Sequence, residues 1–470
     1  MATTFDQNRR NGAINSWRQD MNAQTIATFA FLIIALLLGG GGSRFAMQEM
    51  LVYLAAIPAL ALTFAQNNAL GTTTWYLRPA KYFVFAILFI TVLQIVPLPP
   101  SVWTALPGQE TLTEAAAIVG QADSWRAWSI NPEKTLASGL YILVPATAFF
   151  AVSRLTTENQ IRLIGCMLAV AAVHMLVSLG QSLSGGQSFY MYQTTHMGLP
   201  IGIFANRNHA AMMFLLCLIL SPALLAARLN SAAPFRKMLF GVAALAFAIA
   251  ILATSSRAIT VLLGLSIVFI ALISIPSQHR RKGVLAVLAG AIATIAVVLA
   301  AWWNNNLGSL QNLGERFQQS DDHRYEFWPE TIAAAGQYFP FGSGIGTFDE
   351  AFRGQESLDI VGTHYVNHAH NDYIELIIEN GIFGVFIVLA LIAILIPAIR
   401  FIMRGHAAKQ LTDLPLLGLW AVTAIAFHSL VDYPLRSLAL AAMAGAIFAI
   451  CLSVLGGRHA ITSIDSVNKK

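Results

Sequence analysis

Apolar runs close to the ~20 residues needed to cross a bilayer as a helix recur from one end of this chain to the other. Twelve can be read, at about 25–42, 46–64, 81–98, 137–153, 161–181, 209–227, 237–253, 258–275, 283–303, 382–402, 415–433 and 435–455. The pattern predicts an all-α polytopic membrane protein of about 12 transmembrane helices. With 56% hydrophobic and 11% charged residues, the composition excludes an ordinary soluble globule. A net charge of +5 comes without a basic helix or a zinc-finger spacing, which argues against nucleic acid as a partner. Cys166, Cys217 and Cys451 lie inside apolar runs and read as small packing residues rather than a disulfide or zinc framework. The stretch from Met1 to Ala23 is polar, and no cleavable signal peptide is expected from it.

Lys and Arg set the orientation, because cytoplasmic loops retain them. With the N-terminus inside, 19 of the 28 Lys and Arg fall on cytoplasmic segments, and every inner loop has at least two. Both termini are therefore expected in the cytoplasm. The other nine are Arg44, Arg126, Lys134, Arg207, Arg257, Arg316, Arg324, Arg353 and Arg436, on the outer side with most of the His. Function is expected to face outward. The chain divides into a cytoplasmic segment 1–24, a bundle 25–303 of about nine helices, and a large, partly helical outer loop 304–381. Three further helices over 382–455 and a cytoplasmic tail 456–470 complete it. The loop carries aromatic, Gly and charged residues rather than low complexity, so an ordered cap is predicted.

The densest polar cluster is His368-Ala369-His370-Asn371-Asp372-Tyr373-Ile374-Glu375, continuing through Glu379-Asn380-Gly381 into the run at 382. Bilayers penalise ionisable groups, so such a cluster at a helix mouth points to use. Near neutral pH His370 can take a proton from a sugar hydroxyl, and Asn371 can orient the acceptor. The alternative is a helix N-cap with an interfacial His. Asn371, Glu375 and Glu379 recur every fourth residue along one helical face, and Asn380-Gly381 supplies a stop. His368, His370 and Asp372 alternate, but no helical ligand spacing supports a metal, and no cofactor is expected.

Arg207, in Phe204-Ala205-Asn206-Arg207-Asn208, and Arg257, after Thr254-Ser255-Ser256, stand at outer helix mouths; Arg324 lies in the loop. Three planar guanidinium forks on one face suit a diphosphate, while each alone could also snorkel to a lipid headgroup. The turn Phe341-Gly342-Ser343-Gly344-Ile345-Gly346-Thr347-Phe348 reads either as backbone donors for phosphate or as a tight turn. His428 and Asp432, one helical turn apart near Arg436, read equally as a supporting His–Asp pair or a polar helix end.

Taken together these residues resemble the O-antigen ligase and polymerase superfamily of bacterial envelope glycosyltransferases. There a His-Asn pair, nine further residues and Gly-x-x-Gly close the large periplasmic loop, as His370-Asn371 and Gly381-Ile382-Phe383-Gly384 do here. The Asn-Arg-Asn around Arg207, the Ser-Arg-Ala at Ser256 to Ala258, and Arg324 ahead of Trp328 are similar features. The resemblance implies a multi-pass protein of the bacterial inner membrane that transfers a glycan from undecaprenyl diphosphate at the periplasmic face, without a metal. It implies His370 as the base on the acceptor and Arg207, Arg257 and Arg324 on the donor diphosphate. His428, Asp432 and Arg436 are expected to support them, with membrane lipids and other polysaccharide export components as partners. The segment from His428 to Arg436 is similar to exopolysaccharide polymerases, which favours joining O-antigen or exopolysaccharide repeats; ligation to lipid A-core is the alternative. A polysaccharide or lipid transporter is the reading from another class, but its ionisable groups would sit near the midplane on broken helices.

Overall fold

The computed structural model describes residues 21–41, 46–65, 77–194, 196–226, 234–274, 324–359, 361, 366–407 and 413–456. In chain order its helices are α1 (Ala23–Leu38), α2 (Ala46–Ala65), α3 (Leu77–Ile95), α4 (Pro100–Trp103), α5 (Glu110–Ile118), α6 (Pro132–Tyr141), α7 (Leu143–Ser153), α8 (Thr157–Leu183) and α9 (Arg207–Leu220). They continue with α10 (Pro222–Ala226), α11 (Pro234–Ala253), α12 (Arg257–Ser274), α13 (Arg324–Tyr338), α14 (Phe348–Arg353), α15 (Asp372–Asn380), α16 (Ile382–Ala407), α17 (Leu414–His428) and α18 (Leu438–Ser453). The strands β1 (Pro97–Leu98) and β2 (Arg126–Ala127) pair antiparallel, Pro97 opposite Ala127, and close the connection between α3 and α6.

Among the described residues seven helices have the length and apolarity to cross a membrane: Met47–Ala65, Leu77–Ile95, Pro132–Ser153, Thr157–Leu183, Arg207–Leu224, Ile382–Gly405 and Leu438–Gly456. Four shorter apolar helices accompany them, Ala23–Leu38, Gly241–Ala253, Arg257–Ile273 and Leu414–His428. The chain is thus a mostly helical, multi-pass membrane protein. The run read at 283–303 lies outside the described residues. Two others differ from the sequence reading. The span around Pro145 begins at Pro132, capped by the Asn131 side chain, and bends at Ile142. Pro145 has no N–H to return to Tyr141, which is where such a helix breaks. The run at 415–433 stops being helical at His428, so Asp432 lies in a turn beyond the helix rather than on it.

The bundle is organised around α18, which packs on α7, α17 and α1, with α9 set among α11, α12 and α17. Helix α18 carries no charge and is buried along almost its whole length. Small residues bring its neighbours close: a Cβ at Gly445 would stand 2.2 Å from the Pro145 carbonyl oxygen. Close backbone approach through small residues is how helices associate where lipid removes the hydrophobic drive between them. A second, smaller apolar core lies apart, built from Phe327, Ala334 and Tyr338 of α13, Phe348, Ala351 and Phe352 of α14, Ala369, and Ile378 of α15. It gives the described parts of 324–381 a packed apolar core of their own. Lys134 at the start of α6 ties α14 down through Asp349 at 2.6 Å and Glu350 at 2.7 Å.

Candidate active site

Helix α15 is short and acidic, yet Glu375, Glu379 and Asn380 are buried. Its start is fixed by Asn371, whose Oδ1 accepts from the Tyr373 and Ile374 N–H groups at 3.0 and 3.1 Å, while Nδ2 donates to the Leu430 carbonyl at 2.9 Å. That is an N-cap with both ends of the amide engaged. Ser429 completes the dock, its Oγ donating to Asp372 Oδ2 at 2.7 Å and its carbonyl accepting from the Asp372 N–H at 2.9 Å. Immediately before the cap, His370 is held at φ 50, in the left-handed region. A non-glycine residue there costs on the order of 1 kcal/mol or more, and such strain collects at working sites.

The strained backbone turns the His370 ring onto Asp432, with Nδ1 3.2 Å from Oδ1. Asp432 is fully buried. Burial pushes its carboxyl up, but the imidazoles of His370 and of His428, whose Nε2 stands 3.4 Å from Oδ2, outweigh that and hold it well below the ordinary carboxylate range. An ionised carboxylate only accepts, so His370 presents Nδ1–H to it and, in the neutral ring, keeps Nε2 as an acceptor. The tautomer is assigned from this partner. One residue pair earlier the same construction recurs: His368 Nδ1 lies 2.8 Å from Glu375 Oε1, and Glu375 Oε2 accepts from the Ala369 N–H at 3.0 Å.

Arg436 anchors the carboxylates of α15. Its guanidinium contacts Glu379 at 2.9 Å, Glu375 at 3.4 Å and Asp372 at 4.0 Å. One positive charge cannot satisfy three buried carboxylates equally. Burial pushes Glu375 up, but Arg436, then His368 and the Ala369 N–H, reverse that and bring it to about 2. For Asp372 burial wins over Arg436 and Ser429, and its carboxyl rises to about 7. Glu379 is also raised by burial despite its contact with Arg436. The Arg436 guanidinium is pushed up by Glu375, Glu379 and Asp372 against its own burial.

The three Arg read as a diphosphate clamp differ in their surroundings. Arg207 opens α9 after the Asn206 cap, and its Nε is buried without a hydrogen-bond partner. Arg257 opens α12, which runs alongside α9, just after the buried Ser255 and Ser256. Arg324 opens α13 at the edge of the described residues. Asn206, the cap residue before Arg207, reaches the His cluster through Tyr433, whose hydroxyl accepts from Asn206 Nδ2 at 3.4 Å. The Tyr433 ring centre is 5.2 Å from His209, 4.3 Å from His368 and 4.8 Å from His370. The Gly-rich stretch is a turn with four successive donors taken: Gly342 N–H bonds Tyr338, Ser343 bonds Ile378, Gly344 bonds Glu379, and Ile345 donates to Gln94 Oε1. Among the described residues no three of His, Cys, Asp and Glu converge as metal ligands.

Sequence reasoning overlooked Tyr433, the ring shared by three His, and Gln94, which bonds the Gly-rich turn and donates to the Glu379 carbonyl at 3.1 Å. Gln94 carried a signal, a lone amide near the end of an apolar run. Tyr433 carried none, since aromatics at a helix end are ordinary.

Residues 241–389 match the family model described as O-antigen ligase. The matched stretch includes Arg257, Arg324 and the His370-Asn371 to Gly384 motif, and it bears out the resemblance read from the sequence. It supports enzymatic glycan transfer between a lipid-linked donor and an acceptor in general. No curated protein matches the chain.

Proposed function

On the premise of that superfamily, we propose that the protein is a glycosyltransferase of the bacterial inner membrane. It moves a glycan from undecaprenyl diphosphate to an acceptor hydroxyl at the periplasmic face. The observation that carries this is the His370–Asp432 pair: a strained histidine with Nδ1 fixed on a buried, ionised carboxylate and Nε2 left to accept a proton. The acceptor O–H gives its proton to Nε2 as its oxygen bonds the anomeric carbon, and the bond from that carbon to the diphosphate breaks with its electron pair leaving on the phosphate oxygen. Arg207, Arg257 and Arg324 receive the diphosphate charge, and the unpartnered Nε of Arg207 fits that role. Asn371 acts through His370 as a positioning residue, because its amide is engaged at both ends. His428 supports Asp432, and Arg436 holds α15 in register rather than meeting the donor.

Joining of repeats is the preferred outcome, on the similarity of the His428 to Arg436 segment to exopolysaccharide polymerases. The matched family's description favours ligation instead. Purified protein supplied with a lipid-diphosphate oligosaccharide tests the proposal. Extension of the lipid-linked repeat supports polymerisation, transfer only onto lipid A-core supports ligation, and movement across a sealed vesicle without transfer means transport. Arg→Lys at 207 or 257 keeps the charge but loses the planar fork, and donor KM is expected to rise.

A further inference from the structure

His370 and His368 are mounted alike. Each points Nδ1 at a buried carboxylate, Asp432 at 3.2 Å and Glu375 at 2.8 Å, and both carboxylates are held ionised. Each ring, when neutral, then donates from Nδ1 and accepts at Nε2. Both rings lie against Tyr433, with centroid distances of 4.3 and 4.8 Å. Both side chains keep some exposure, 17% for His368 and 28% for His370. The pair thus sets two partly exposed imidazoles beside one aromatic ring.

One acceptor is accounted for by the base. The other ring pairs buried Glu375 through Nδ1, and its Nε2 has no task in the transfer step. Two fixed acceptors side by side match a sugar residue carrying two hydroxyls: one is deprotonated and attacks, and the other donates and is not consumed.

Resting on the glycosyl transfer reading, we propose that His368 is a specificity-determining residue, accepting a hydrogen bond from a second hydroxyl of the acceptor sugar while His370 takes the proton from the first. The acceptor class is then a sugar residue with a free hydroxyl besides the one that forms the new linkage. Buried polar atoms left unpaired by an analogue lacking their partner make such sites discriminating.

The test uses full-length protein, the lipid-diphosphate donor, a synthetic glycoside of the sugar that receives the linkage, and its monodeoxy analogues, each lacking one other hydroxyl. One analogue is expected to lose roughly tenfold in kcat/KM with the wild type, mostly in KM. With His368→Phe the parent glycoside falls to the same level, and that analogue falls no further. Equal use of every analogue by the wild type overturns the inference, and that readout needs no variant to fold. Wild-type discrimination retained by His368→Phe also overturns it. Failure of the wild type to extend the parent glycoside or the native lipid-linked repeat sinks the transfer reading itself.

Discussion

Helices α18 and α15 are both buried, and almost nothing else about them agrees. Helix α18 is 16 residues of Leu, Ala, Ile and other small or apolar side chains without a charge, held by packing against α7, α17 and α1. Helix α15 has nine residues, three of them carboxylates, and is held by Arg436, His368, Ser429 and the Asn371 cap. In the first, any residue of the right size serves. In the second, each charge is tolerated only because a named partner faces it, since an unpaired buried charge costs several kcal/mol. The contrast teaches where this molecule concentrates constraint: the bundle is specified by volume, and the site by pairing.

That contrast can be broken most directly at His370. Its replacement by Ala is expected to lower transfer by ~10²–10⁴-fold, and also to lower the melting temperature in detergent, because buried Asp432 is left with His428 as its imidazole neighbour. Near-normal turnover would remove it as the base. Next in size is Arg436→Met, which leaves Glu375 and Glu379 buried without their cation and is expected to destabilise by about 3–5 kcal/mol. A loss below about 1 kcal/mol would show that α15 is held by packing after all. On the other side of the comparison, Gly445→Leu pushes a side chain into the Pro145 carbonyl and is expected to cost roughly 1–3 kcal/mol. Thermal unfolding of the purified protein reads both.

The smallest effect separates the carboxylates by pH. Glu375 sits near 2 when folded, below its ordinary value, so its stabilisation is present above about 4.5 and is lost as pH falls toward 2. Asp372 is shifted the other way, to about 7, so its contribution is full below about 4 and is lost as pH rises through 7. Asp372→Asn is therefore expected to flatten the melting temperature between pH 5 and 8 without changing the acid limb. An unchanged slope in that window would place the titration elsewhere.

The apolar runs were legible because the bilayer imposes length and composition on each span separately, so no knowledge of neighbours is needed. The His370-Asn371 to Gly384 motif was legible too, as a spacing, and so was the Gly381 stop, seen in the structure at φ 54. Spacing misled at α17, where 415–433 looked like one run. Asp432 and Tyr433 leave the helix after His428, and Pro434 follows a residue that must avoid helical backbone.

What the sequence determined by itself was the class of molecule, the approximate helix positions and the neighbourhood of the chemistry. Only the tertiary structure decided the pairings: His370 with Asp432 across 62 positions, Arg436 with Glu379 across 57, and Gln94 with Glu379 across 285. Hydropathy and periodicity are properties of a segment and can be read along the chain. Which carboxylate meets which cation is a property of how segments pack, and many charges on one face fit many pairings until the folded backbone selects one.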